Sequence, residues 1–132
     1  MTVSTMLSLL SEGFVTSLLI FALTLLFSMP LGLAVMFGRR SRLTPLRGFI
    51  KAYISIMRGT PLMLQLMVVF YGPKLLLGVT VPGNWRFTAV IVAFVINYAA
   101  YFAEIYRGGI ESIPRGQYEA AQVLGYTKAQ TF

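Results

Sequence analysis

The chain has 132 residues, 57% of them hydrophobic and 11% charged, with a mean hydropathy of +0.75 and a formal net charge of +7. Soluble domains carry roughly 25% charged residues, so an ordinary soluble protein is excluded. The absence of Cys and His removes disulfides, thiolate or imidazole metal sites and any nucleophile–His–Asp triad, and four Glu as the only carboxylates nearly exclude acid–base catalysis.

A sequence pI near 10.2 would ordinarily suggest nucleic-acid binding. The placement of charge argues for a membrane instead, because residues 13–38, 59–73 and 87–103 carry no charge at all. About 20 apolar residues at 1.5 Å rise cross a hydrocarbon core of about 30 Å. The first span is therefore expected over 14–37. No Lys or Arg precedes it, and it exceeds the roughly 7–15 apolar residues of a signal-peptide core. It is expected to remain in the membrane. Within it, Ser28-x-x-x-Gly32 is a small-xxx-small contact of the kind that lets helix backbones approach.

Between the first two spans lie Arg39, Arg40, Arg42, Arg47, Lys51 and Arg58, with no acid among them. Loops rich in Lys and Arg stay cytoplasmic, which places the N-terminus outside. Nine positive and three negative charges then lie inside, against two positive and one negative outside. In this loop Leu46, Phe49, Ile50, Tyr53, Ile54 and Met57 follow the period of an amphipathic helix, with Arg47, Lys51 and Arg58 off the stripe. Such a helix serves either as an interfacial lead-in to the second span or as a lipid or regulatory site.

The second span either starts upstream near Ile54 and ends at the Gly72–Pro73 break, or passes through Pro73 and ends near Leu77. The upstream start, giving 54–72, is the expectation. The third span is expected over 87–106. Ala89, Ala93, Asn97, Ala100 and Glu104 share one small and polar face of it, which should point into a bundle. Asn97, and Gln65 in the second span, are expected either to form interhelical hydrogen bonds or to line a substrate path.

After the third span, Glu104, Arg107, Glu111, Arg115 and Glu119 alternate in sign at helical neighbour spacings. Pro114 interrupts any single helix. A short helix from about Arg115 to Leu124 is expected, ending on Gly125 in a left-handed cap. Thr127-x-x-Gln130 reads as a capping box that starts another helix. The expected fold is all-α: an integral membrane helical bundle of three transmembrane helices in one domain, N-terminus outside, followed by a cytoplasmic helix–glycine–helix segment.

Four pieces of sequence, in this order, resemble the permeases of ABC importers, and in particular their polar amino acid branch. They are Arg58-Gly59-Thr60-Pro61-Leu62-x-x-Gln65, Ala103-Glu104-Ile105-x-Arg107-Gly108, Pro114-x-Gly116-Gln117, and Glu119-Ala120-Ala121-x-x-x-Gly125, the last being similar to the first half of the EAA loop. The resemblance runs from about Glu12 to Phe132. It implies an integral subunit that pairs with a second permease subunit, as homodimer or heterodimer, to form the pathway. Two cytoplasmic ATPase subunits would bind the ATP, so that this chain needs no cofactor, metal or catalytic residue. An extracytoplasmic binding protein would deliver substrate, and the setting would be the bacterial cytoplasmic membrane, with no nucleic acid involved. The loop at 107–132 would couple to the ATPase. There Glu119 would offer a charge or cap, Ala120 and Ala121 would keep the docking helix slim, and Gly125 would turn the chain. The family's loop continues into Ile-x-Leu-Pro and two more spans, so the sequence is expected to be the N-terminal part of such a permease. A three-span remnant that inserts without transporting is the alternative.

Overall fold

The computed structural model describes residues 2–132 and contains, among them, helices only: α1 (Val3–Arg39), α2 (Thr44–Gly59), α3 (Leu62–Leu77), α4 (Trp85–Glu111), α5 (Arg115–Val123) and α6 (Lys128–Thr131). Of these, α1 with 37 residues and α4 with 27 are long and apolar enough to cross a membrane. At 1.5 Å per residue α1 is about 55 Å long, well beyond the expected 14–37. The Thr2 hydroxyl begins it by accepting from the Thr5 amide at 3.3 Å. Along its first half, the hydroxyls of Ser11, Thr16 and Ser17 donate to the carbonyls of Leu7, Glu12 and Gly13 at 2.8–2.9 Å. Hydroxyls satisfied inside their own helix suit surroundings that supply no water. The helix runs through Pro30 without a break.

The most extensive packing in the fold joins α1 to α4. Thr24, Ser28, Gly32 and Met36 are the buried residues of α1, and Ala89, Ala93, Asn97, Ala99, Ala100 and Ala103 those of α4. The expected small face of α4 does point inward, and Ser28 and Gly32 do lie at the contact. At Gly32 the approach is so close that an added Cβ would sit 2.6 Å from the Phe102 Cβ and 3.0 Å from the Ala99 carbonyl oxygen. Between helices in hydrocarbon the drive is dispersion contact rather than the hydrophobic effect. A methyl group that holds the backbones apart therefore removes the attraction along the whole seam. Two side chains from α4 add hydrogen bonds across it and its neighbour: Tyr106 Oη donates to the Met29 carbonyl at 3.2 Å, and Trp85 Nε1 to the Phe70 carbonyl on α3 at 3.0 Å.

The expected second span is corrected by the structure. Ile54 lies inside α2, and the next helix starts at Leu62, beyond a break where the chain bends by 111°. The physical cause is Thr60-Pro61. Pro61 has no N–H to continue the ladder, and it pushes its predecessor out of the helical region; Thr60 has φ −114° and ψ 148°. α3 then passes through Pro73 and ends at Gly78, whose φ of 62° is left-handed. The helix thus follows the alternative that passes through Pro73 to Leu77, and it reaches the length and apolarity of a crossing only when taken together with α2. The amphipathic stripe of α2 divides: Ile50, Tyr53, Ile54 and Met57 pack with Met36, Ala100 and Ala103, whereas Leu46 and Phe49 stay exposed.

Gly32→Ala is expected to destabilise the folded chain by about 1–3 kcal/mol through overpacking, read as a lower thermal midpoint in detergent. Gly13→Ala, with nothing within 4 Å of the added methyl, should leave the midpoint unchanged or raise it slightly.

Candidate functional site

The C-terminal ends of α1 and α2 and the far end of α4 converge on one carboxylate. Glu104, whose side chain is 15% exposed, forms an ion pair with Arg39 through Oε1. Its Oε2 accepts from Arg107 Nη2 at 2.7 Å and faces Arg58 Nη1 at 3.6 Å. Arg107 also donates from Nη1 to Glu111 Oε2 at 2.8 Å, and the Arg58 guanidinium stands 5.6 Å from the centre of the Tyr101 ring. The alternation of charges along the chain had shown the Glu104–Arg107–Glu111 part of this network. It missed Arg39 and Arg58, which come from other helices. The available signal was that six cations in the 38–58 loop have no acid of their own, while Glu104 is the first acid after the third apolar run.

Beyond this hub α4 continues through Gly108 and Gly109 to Glu111. Pro114 then starts α5, and the chain turns where the sequence indicated. The Gly125 amide donates to the Gln122 carbonyl at 3.1 Å and the Tyr126 amide to the Ala121 carbonyl at 3.0 Å, with Gly125 at φ 77°. These two bonds close the end of α5 through a left-handed residue, which only glycine adopts without strain. Thr127 immediately starts α6, its hydroxyl accepting from the Gln130 amide at 3.2 Å while Gln130 Oε1 accepts from the Thr127 amide at 2.9 Å. The Phe132 ring packs against Phe37 at the end of α1, centroids 6.0 Å apart.

Glu119, Ala120, Ala121 and Gly125 thus lie on one short helix and its corner. Glu119 and Ala120 are exposed, Ala121 is buried, and Glu119 Oε1 lies 3.4 Å from Arg115 Nε in a pair open to solvent. Val123 and Leu124 are 87% and 68% exposed beside them. Ala120 and Leu124 also line, with Ile110, Ile113, Tyr118 and Ala121, an open cavity of about 530 Å³. The segment is a corner hydrogen-bonded on both sides of Gly125, with small, apolar and charged side chains exposed on it.

The two polar residues of the spans are not alike. Gln65 Nε2 donates to the Met57 carbonyl at 3.0 Å, to Thr60 Oγ1 at 2.7 Å and to the Thr60 carbonyl at 3.3 Å. Its amide nitrogen ties α3 to the end of α2 and closes the corner that Pro61 opens. Asn97 is 4% exposed on the inward face of α4, between Ala93 and Ala100. The apolar cavity of about 330 Å³ that Gln65 borders includes Ala93 and Ile96 but not Asn97. The two amides therefore do not share a cavity.

Removing the charge of Glu104 leaves Arg39, Arg58 and Arg107 crowded without their common partner. Glu104→Gln is expected to cost about 1–3 kcal/mol, between an exposed and a buried pair, measured as a lower thermal midpoint. Glu119→Gln, in a solvent-open pair, should change stability by less than about 0.5 kcal/mol.

A family model described as "Binding-protein-dependent transport system inner membrane component" matches residues 28–132. The L-cystine transport system permease protein TcyB of Bacillus subtilis is 37% identical over 92% of this chain and 50% of its own length. The arginine transport system permease protein ArtQ of the same organism is 40% identical over 86% of this chain and 51% of its own length. The chain spans about half the length of these curated relatives. A crystal structure of an amino acid ABC transporter with histidines superposes with a TM-score of 0.81 at 34% identity, over 99% of this chain and 62% of that one. With the family model covering the seam, the Glu104 hub and the capped corner alike, the chain belongs to the inner membrane components of binding-protein-dependent transport systems.

Proposed function

We propose that the chain acts in a permease subunit of an ATP-driven importer of polar amino acids, and that residues 107–132 dock on a cytoplasmic ATPase. The observation that carries this reading is the corner at Gly125. A surface that receives force from another protein must keep its shape, and here both sides of the turn are closed by paired hydrogen bonds. Glu119, Ala120, Val123 and Leu124 are exposed on it. The relatives named for cystine and arginine transport support an amino acid as substrate.

In this reading α1, α3 and α4 are three spans, the N-terminus lies outside, and α2 lies along the cytoplasmic interface. A second permease subunit completes the pathway, two ATPase subunits bind and hydrolyse ATP, and an external binding protein presents the substrate. The complex sits in the bacterial cytoplasmic membrane. Movement of the ATPase would act first on α5. From there it reaches α4 through the short link around Pro114, and α1 and α2 through the Glu104 ion pairs. Such motion transmits as a rigid-body displacement rather than as bending of each helix. Glu119 supplies the charge at the docking face, Ala120 and Ala121 the narrow helix, and Gly125 the corner.

Two experiments test these points. Glu119→Arg is expected to abolish crosslinking of α5 to the cognate ATPase and to lower amino acid uptake at least about tenfold, as for a reversed charge at an interface. Because Glu119 contributes little to folding, the thermal midpoint should hold; unchanged crosslinking would remove Glu119 from the docking face, and a parent chain whose α5 neither crosslinks to the ATPase nor supports uptake would favour the non-transporting remnant. The chain has no cysteine, so single cysteines at Ser4 and Arg42 report orientation. Ser4→Cys should react with an impermeant maleimide on intact cells, and Arg42→Cys only after permeabilisation. The opposite pattern reverses the topology.

A further inference from the structure

The cations around Glu104 exceed the acids that face them. Arg39, Arg58 and Arg107 share Glu104, with Glu111 as the one further carboxylate in the network. Lys51 adds another positive charge and forms no ion pair among the described residues. The surplus is gathered at a cavity of about 620 Å³, lined by Arg39, Lys51, Ser55, Arg58, Tyr101 and Glu104. Its walls are α2, the last turn of α1 and the part of α4 where the uncharged run ends.

Position and chemistry together narrow what would enter. The cavity lies where the uncharged runs of both long apolar helices, 13–38 and 87–103, come to an end, which is the depth of the lipid headgroups if those helices cross the membrane. Its cations, Arg39 from α1 and Lys51 and Arg58 from α2, sit beside a hydroxyl, Ser55, and an aromatic ring, Tyr101. Phe49 on α2 is 73% exposed, so the same helix offers apolar surface to acyl chains. Basic pockets between helices at a membrane boundary suit anionic headgroups, and guanidinium groups pair with phosphate oxygens through several donors.

We propose that this cavity binds the phosphate diester of an anionic phospholipid, with Lys51 and Arg58 as the contacting cations. Glu104 holds Arg39 and Arg107 in place and leaves Lys51 free to reach outward. The site would fasten α2 to the membrane surface and keep it against the ends of α1 and α4. This inference needs the membrane crossing of α1 and α4 only, and not the transport reading.

The test is native mass spectrometry on the protein purified from membranes with its associated subunits, given equimolar phosphatidylglycerol and phosphatidylcholine. Phosphatidylglycerol should be retained in preference, and Lys51→Gln should lower its retention about fivefold, the effect of one cation near an anionic surface. Arg47→Gln removes the same charge from α2 away from the cavity and should leave retention near that of the parent. A thermal midpoint equal to the parent's shows that Lys51→Gln is folded. Equal retention of the two lipids overturns the proposal, and so does an equal loss in Lys51→Gln and Arg47→Gln, which marks diffuse surface charge. Displacement of the lipid by millimolar inorganic phosphate also overturns it, by making free phosphate the ligand.

Discussion

Hydrocarbon offers no hydrogen-bond partners to a polypeptide, so each crossing segment must satisfy its backbone internally before it meets another. What remains for association is contact between helix surfaces that are already complete. In this chain that contact is concentrated where Gly32 lies against Ala99, Phe102 and Ala103. The same seam brings the end of α1 beside Glu104, and α2 can then pack Ile50 and Ile54 on Met36, Ala100 and Ala103. The charged hub depends on this approach. Without it Arg39 and Glu104, 65 residues apart in sequence, would have no reason to meet.

Features carried by neighbouring residues were legible from sequence. Gly125 needs only its own backbone conformation, and Thr127 and Gln130 need only each other, so the corner of the last segment could be placed residue by residue. The small residues of α1 and the alanine face of α4 were also readable, since period and side-chain size suffice to mark a close contact. The break before α3 was misread because the run from Pro61 to Tyr71 is too short to cross alone and the apolar stripe of α2 leads straight into it. Thr60-Pro61 outweighs that periodicity, as one missing amide and one steric clash act directly on the backbone. The Glu104 hub was half legible. Its partners on α4 follow from spacing, whereas Arg39 and Arg58 depend on how three helices are arranged.

The candidate functional residues divide in the same way. Glu119, Ala120, Ala121 and Gly125 form a local unit, and sequence placed them together. Asn97 and Gln65 look equivalent as isolated polar residues in apolar runs, yet their surroundings differ. Gln65 is used by the turn beside it, through Met57 and Thr60, whereas Asn97 is enclosed among alanines. Composition alone does not separate a corner brace from an enclosed amide. The distinction arises only once the helix before Gln65 is known to end at Gly59.

The unbroken course of α4 has a mechanical consequence. Its 27 residues extend from Trp85, bonded to the Phe70 carbonyl, to Glu111, with the Gly32 contact falling nearer the second end. Taking that contact as a fulcrum near Tyr101, the arms are about 24 Å and 15 Å at 1.5 Å per residue. A rigid helix pivoting there would move its Trp85 end about 1.6 times as far as its Glu111 end. A small displacement of the Glu111 end would thus be magnified at the Trp85 end, where α3 is attached.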